Sequence, residues 1–249
     1  MKRSKSGDNG KKRHKNWSVL EPGWQGIFVT CPRGKESNCR AELLDLLREY
    51  VDNDDEEEDE GEEESGDIEA VLSKEVASLK QKRKESNVEG HLVGCECVVF
   101  ARLKKADPVE VVKRICRDAK HKGMKQTRYV QRMTPVSLLV TANLDNIEKF
   151  TPIVESAMPG EGLKFAIRPT IRNNTKIPRD ELISNTAKLV GHRHKVDLKG
   201  YDKLVLVECF KSVMGLSVVD EFDELNKFNL TQIYEAAAKA QNDAQNDAE

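Results

Sequence analysis

The sequence has no long hydrophobic run: nowhere in its 249 residues does an uninterrupted apolar stretch approach 18, which excludes a membrane-spanning helix. The N-terminus, Met1-Lys2-Arg3-Ser4-Lys5, has no apolar segment behind it and so does not read as a secretory signal. Hydrophobic content is only 38%, so part of the chain is expected to stay unfolded. The expectation is a soluble, intracellular protein. The six cysteines contain no C-x-x-C pair. Cys95-Glu96-Cys97 would place two thiols on one face of a strand, but no second pair or well-spaced histidine completes a four-ligand site. These cysteines read as reduced, packed side chains. Also lacking are a G-x-G-x-x-G after a strand, a P-loop and a G-x-S-x-G, which leaves no nucleotide cofactor and no acyl-transfer nucleophile. His192-Arg193-His194 is the only histidine cluster, and it reads as a loop cation cluster beside Lys195. No catalytic residue, metal site or cofactor is expected.

What the sequence does have is charge, unevenly placed. The formal net charge is −2, yet residues 52–69 hold 13 acidic side chains and no basic ones, so the remainder carries +11. Residues 1–16 carry seven Lys/Arg against one Asp and read as a flexible basic arm. The acidic run reads as unfolded, because like charges repel. Residues 70–219 carry 28 basic and 16 acidic groups. The last 30 carry two basic and eight acidic groups and read as a tail.

Between these regimes apolar periodicity marks alternating strands and helices. Strands are predicted at 26–31, 97–101, 127–133, 163–167, 204–207 and 216–219, the last two joined by a turn near Met214-Gly215. Val136–Val140 is an apolar run. Helical spacing appears over 43–50, 68–79, 109–123, 147–157 and 178–191. Asp107-Pro108 supplies an N-cap followed by proline at the first helical position, Gly123 and Gly191 supply stops, and Pro152 forces a kink or a late start. The expected fold class is α/β (α+β), in two small layered units.

Positive charge is densest from Arg102 to Arg132, with 11 Lys/Arg against three acids. Lys113, Arg114, Arg117, Lys120 and His121 lie largely off the apolar stripe of the predicted helix. After it come Arg128, Tyr129, Gln131 and Arg132, a stacking surface and an amide between guanidiniums. Such a field suits RNA, gripped through phosphates and 2′-hydroxyls and stacked upon where unpaired; a solvated helix face is the alternative. The second constellation is Arg168-Pro169-Thr170-Ile171-Arg172-Asn173-Asn174-Thr175-Lys176, read as a loop between a strand and a helix N-terminus, where free N–H groups attract phosphate. Its alternative is an ordinary turn with asparagine in the left-handed conformation.

Taken in order, Arg128–Val136, Ile171–Asn174, Pro178–Ile183, Lys195–Leu198, Val205–Glu208 and Leu216–Val219 resemble the THUMP family, and within it the THUMP domain-containing protein 1 and yeast tRNA acetylation protein family. The N-terminal half is similar to the ferredoxin-like domain that precedes THUMP. The resemblance implies a disordered basic arm over 1–16 and a ferredoxin-like domain over 17–113 with an acidic disordered insertion (51–67). A THUMP domain over 114–226 and a disordered tail over 231–249 complete that layout. It implies tRNA binding by the two domains together. With no room left for a catalytic domain, it points to a non-catalytic adaptor. Its role would be to present serine and leucine tRNAs to an RNA cytidine acetyltransferase for N(4)-acetylcytidine formation. The residues implicated are Arg128, Tyr129, Gln131, Arg132, Arg168, Arg172, Asn173, Asn174, Lys176 and Lys195, with Lys113 and Arg117 on the basic helix. The alternatives are a self-sufficient tRNA-modifying enzyme and an interaction protein of ribosome assembly that works through the acidic run. The protein is expected to be a monomer. Lys11–Lys15 fits a nuclear import signal, with RNA binding by the same residues as the alternative; the expected location is the nucleus or nucleolus, with the cytoplasm as the alternative.

Overall fold

A computed structural model describes residues 17–51, 87–123 and 125–246. The basic arm, the helix predicted over 68–79 and all of the acidic insertion except Val51 lie outside the described residues. Val51 itself belongs to the fold, buried in the last turn of the first helix.

The first unit is built from β1 (Gln25–Thr30), α1 (Glu36–Val51), β2 (Val88–Leu92), β3 (Val98–Leu103), α2 (Pro108–Lys122) and β4 (Met133–Val136). Its sheet runs β2-β3-β1-β4 with every neighbouring pair antiparallel, which is the ferredoxin-like arrangement. Both helices pack on one face. Helix α2 forms for the reasons visible in its sequence. Asp107 accepts a hydrogen bond from the Val109 N–H at 2.8 Å, Pro108 takes a position that needs no donor, and Gly123 closes the helix at φ +63°. Its stripe Val109, Val112, Ile115, Cys116 and Ala119 is buried, and each large aliphatic side chain removed from water contributes about 1.5–3 kcal/mol. The Tyr50 hydroxyl donates to Asp118 at 2.9 Å and ties α1 to α2.

The second unit follows without a linker. Beyond Ser137 the chain continues as β5 (Leu138–Thr141), then a 3-10 helix (Leu144–Phe150), α3 (Thr151–Ala157), β6 (Lys164–Arg172) and α4 (Arg179–Val190). It ends with β7 (Lys195–Val196), β8 (Lys203–Phe210) and β9 (Val213–Val219). The sheet order is β5-β9-β8-β6-β7, with β6 parallel to both β7 and β8 and the remaining pairs antiparallel. Pro152 produces the late start: the 3-10 turn precedes it and the α-helix begins there.

The two sheets are joined through Ser137. Before it, Val136 pairs with Gly26 of the first sheet; after it, Leu138 pairs with Leu216 of the second. Leu20, Phe28, Phe100, Val136, Leu139, Phe210 and Val213 form a shared core across this joint. Gly215 is required there, since a Cβ would collide with Val136 and lie 2.9 Å from Leu139 Cδ2.

Several expectations change. The boundary drawn between 113 and 114 falls inside α2, which is unbroken; the change of sheet comes at Ser137 instead. The tail expected over 231–249 is largely helical. Helix α5 (Leu230–Asn246) buries Leu230, Ile233 and Tyr234 in the first unit's core, together with Phe222, Leu225 and Phe228. Net acidic composition concealed this apolar spacing. The strand predicted at 127–133 is a loop until Met133. The β8–β9 turn lies at Lys211-Ser212, and Met214 and Gly215 are inside β9. Cys95–Cys97 forms a turn, with Cys97 at φ +62°, rather than a strand.

Candidate nucleic-acid interface

Strand β6 runs on through Arg172, so Arg168 and Thr170 belong to a strand and not to the loop expected from 168. Alternation then decides direction. Phe165 and Ile167 join the core under the helices, whereas Ala166 joins the core shared with the first unit. Arg168, Thr170 and Arg172 share Ala166's face, Arg168 exposed and the other two half-buried. The register sets Arg168 beside Leu206, Thr170 beside Glu208 and Arg172 beside Phe210.

Arg132 approaches the same face from the first unit. Its backbone is fixed by Thr30, whose N–H donates to the Arg132 carbonyl at 2.9 Å and whose hydroxyl oxygen accepts from the Arg132 N–H at 3.1 Å. The Arg132 Nε is buried without a hydrogen-bond partner among the described residues. A buried guanidinium donor left open is costly and marks a place where an acceptor is wanted. Arg168 stacks over Phe222, 5.2 Å from the ring centroid. Neither Arg168 nor Arg172 makes a side-chain hydrogen bond or ion pair among the described residues.

Glu208, half-buried on β8, lies opposite Thr170 in the register and feels the charge of all three arginines. Burial pushes its carboxyl up to about 7, against the opposing pull of a hydrogen bond from Thr170 and the charges of Arg172, Arg132 and Arg168. The charges of three guanidiniums thus act on one carboxyl whose ionised form is disfavoured by burial.

The loop before Arg132 is shaped by a residue with no sequence signal. Glu42, on α1, accepts hydrogen bonds from three successive N–H groups: Arg128 at 2.9 Å, Tyr129 at 2.9 Å and Val130 at 2.8 Å. Such a concave row of amides binds anions, and here a carboxylate occupies it. Arg128 is left exposed at the rim with its guanidinium 5.4 Å from the Tyr129 ring centroid. Gln131 is half-buried; its carbonyl accepts from Leu230 N–H at 2.8 Å, so α5 anchors the loop from the other side.

Other sequence-predicted residues are placed differently. Lys113 is corrected to a structural role: its ammonium is buried and paired with Asp220 at 2.7 Å, Glu110 at 3.1 Å and Glu221 at 3.6 Å. Arg117 makes a two-pronged pair with Glu221, one arm at 3.0 Å. Both were expected on an open basic face, but the returning chain after β9 brings carboxylates against them. Asn174 is likewise occupied, donating to Lys211 O at 2.7 Å and accepting from the N–H groups of Lys176 and Ile177 at 2.9 and 3.1 Å. Asn173 is exposed at φ +53°, the left-handed turn posed as the alternative. Lys176 is exposed beside that turn. Lys195 is exposed on β7 beside Lys164, eight residues along β6 from Arg172 and therefore about 26 Å away. Of the histidine cluster, His194 is turned inward and buried.

The THUMP domain family matches residues 141–219. The tRNA acetyltransferase TAN1 of Saccharomyces cerevisiae is 34% identical over 269 aligned positions, taking in 94% of this chain and 93% of that one. THUMP domain-containing protein 1 of Mus musculus is 34% identical over 260 positions, covering 96% of this chain and 71% of that one. The chain belongs to the THUMP domain-containing protein 1 family. Among solved structures, PH1313 from Pyrococcus horikoshii Ot3 is similar at 12% identity and a TM-score of 0.46, over 79% of this chain and 55% of that chain. In this family member the THUMP match runs from the last residue of β5 to the last of β9. It includes Arg168, Thr170, Arg172 and Glu208 and leaves out Arg132, which the ferredoxin-like unit contributes. The arginine cluster is thus assembled from both units. The sequence offered a signal for Glu208, a lone charge in the apolar run Leu204–Phe210, and none for Glu42.

Proposed function

We propose that the protein binds tRNA across the junction of its two units and presents it, as a non-catalytic adaptor, to an RNA cytidine acetyltransferase. The observation that carries the binding step is the convergence of Arg132, Arg168 and Arg172, one with a buried open donor and one exposed, about the same carboxyl. Guanidiniums in that arrangement grip phosphates, and the exposed Arg128 and half-buried Tyr129 offer a second charge and a stacking surface on the same loop. The link to acetylation is supported by the end-to-end likeness to a relative named a tRNA acetyltransferase. The adaptor reading is supported by the chemistry of the candidate site. Its side chains are mainly donors suited to holding phosphate and ribose, its Glu42 carboxylate is taken up by three backbone N–H groups, and the charges of three guanidiniums act on its Glu208 carboxyl. Serine and leucine tRNAs are the proposed cargo.

Purified protein, tRNA and acetyl-CoA, with and without an RNA cytidine acetyltransferase, separate the readings. The adaptor binds tRNA alone and supports acetylation only with the partner; acetylation by the purified chain would make it an enzyme. Sequencing of the RNA recovered with the protein from cells should show enrichment of serine and leucine tRNAs, and an even tRNA spectrum would remove that specificity.

A further inference from the structure

The arginine cluster holds a carboxyl whose presence simple phosphate binding does not explain. Glu208 sits on β8 with β6 on one side and β9 on the other. From β6 it faces Thr170, which hydrogen-bonds it, and the charges of Arg168 and Arg172; from the segment entering β4 it faces Arg132. From β9 the residue opposite is Gly215, which brings no charge. Cys209, next along β8, points to the other face, and its thiol is held up to about 11 by burial and by Glu208. A wholly open anion site would need no carboxyl here, and a carboxyl kept for stability would be expected to take up the open donor of Arg132. Instead the Nε of Arg132 stays without a partner beside it.

We propose that Glu208 is an internal counter-ion that an RNA phosphate displaces electrostatically, so that binding at the arginine cluster is coupled to uptake of a proton by Glu208. The proposal rests on the tRNA-binding reading and assigns that site its regulation. In the free protein the ionised carboxylate offsets part of the charge of the three guanidiniums, which limits the cluster's pull on anions in general. A phosphate diester that engages those guanidiniums lies near the carboxyl, and the repulsion between the two anions is relieved when Glu208 takes a proton from solvent. The proton ends on the carboxyl oxygen; no covalent bond to the RNA forms or breaks. Since burial already places the free carboxyl near neutrality, the coupling falls in the accessible range. Above pH 7 binding must draw a proton from solvent, and affinity falls with rising pH by up to about tenfold per unit. Below that pH the carboxyl is already protonated and affinity levels off.

The test is the affinity of the full chain for bulk tRNA, by fluorescence anisotropy at fixed salt from pH 6 to 8.5. Wild type is compared with Glu208→Gln, and thermal unfolding of both serves as the control for folding. The counter-ion reading expects wild type to weaken steeply above pH 7, and Glu208→Gln to lose that component and bind more tightly than wild type at pH 8.5. Parallel pH curves, or a glutamine variant weaker at every pH, would overturn it while leaving tRNA binding intact. Absence of tRNA binding by wild type would instead remove the binding reading, and the coupling with it. Should Glu208→Gln fail to fold, Thr170→Val serves: loss of the hydroxyl donor should move the break in the wild-type curve to higher pH, and an unmoved break overturns the proposal.

Discussion

At the residue scale, two carboxylates show how position decides what a charge does. Glu42 meets three N–H groups of the 128–130 loop and shapes the lip of the candidate interface. Replacing it with alanine leaves those donors without an acceptor. Hydrogen bonds to a charged group are worth about 1.5–3 kcal/mol each, but the site is partly solvated, so Glu42→Ala should cost about 2 kcal/mol in denaturant unfolding and weaken tRNA binding through loss of loop order. An unchanged unfolding midpoint would show that the loop holds its shape without Glu42. Asp220 is the second case. Burial would raise its carboxyl, but hydrogen bonds from Lys113 and Lys203 outweigh this and hold it at about 2, below the ordinary 3.8. A depressed carboxylate stabilises the fold fully above 3.8, and that contribution is lost as pH falls toward 2. Lys113→Met should therefore destabilise at pH 7. Breaking a fully buried pair costs about 3–5 kcal/mol, and partial exposure of Asp220 reduces this to about 2 kcal/mol. The deficit against wild type should shrink between pH 4 and pH 2 in acid titrations of stability; a deficit independent of pH would mean that Lys113 acts through packing alone.

At the scale of elements, the parts legible in the sequence were those fixed by local rules. Helix α2 follows from Asp107, Pro108, a buried stripe and Gly123, and α4 from Leu182, Thr186, Val190 and Gly191; both formed where the pattern placed them. Less legible was where an element ends when its end depends on a distant partner. Arg168–Arg172 looked like a loop because arginine, proline and asparagine are turn-rich company, yet parallel pairing with β8 keeps it extended. Met133–Thr141 read as a strand end and an apolar run, and only the packing shows that it serves two sheets in turn. Gly215 reports on that joint. Gly215→Ala would press a methyl against Val136 and Leu139, and overpacking of this kind costs about 1–3 kcal/mol. Lowered thermal stability with reduced hydrogen-exchange protection in both β4 and β5 is the expected result; a variant as stable as wild type would show that the two strands can part without strain.

At the scale of the molecule, the near-neutral total of −2 conceals how charge is distributed among the folded parts. Asp220 and Glu221 of the returning chain pair with two cations of the basic helix that composition singled out, so Lys113 and Arg117 became a weld between α2 and the end of β9. Composition could not reveal this, because the pairing joins residues about a hundred positions apart. The candidate cluster is smaller and better placed: Arg132 from one unit and Arg168 and Arg172 from the other. The sequence named these three among twelve candidates but offered no means of grouping them, since grouping depends on the joint at Ser137. The family likeness identifies the THUMP segment, and the geometry adds that the candidate interface needs the ferredoxin-like unit as well.

The most direct test is the salt dependence of tRNA affinity for wild type and for the triple variant Arg132→Ala, Arg168→Ala, Arg172→Ala, both verified as folded. Phosphate capture at the junction predicts that log affinity falls steeply with log salt for wild type. The triple variant should bind more weakly at low salt, with a slope shallower by up to about 0.9 for each duplex phosphate that is no longer neutralised. A triple variant with wild-type affinity and an unchanged slope would contradict the assignment of tRNA to this junction.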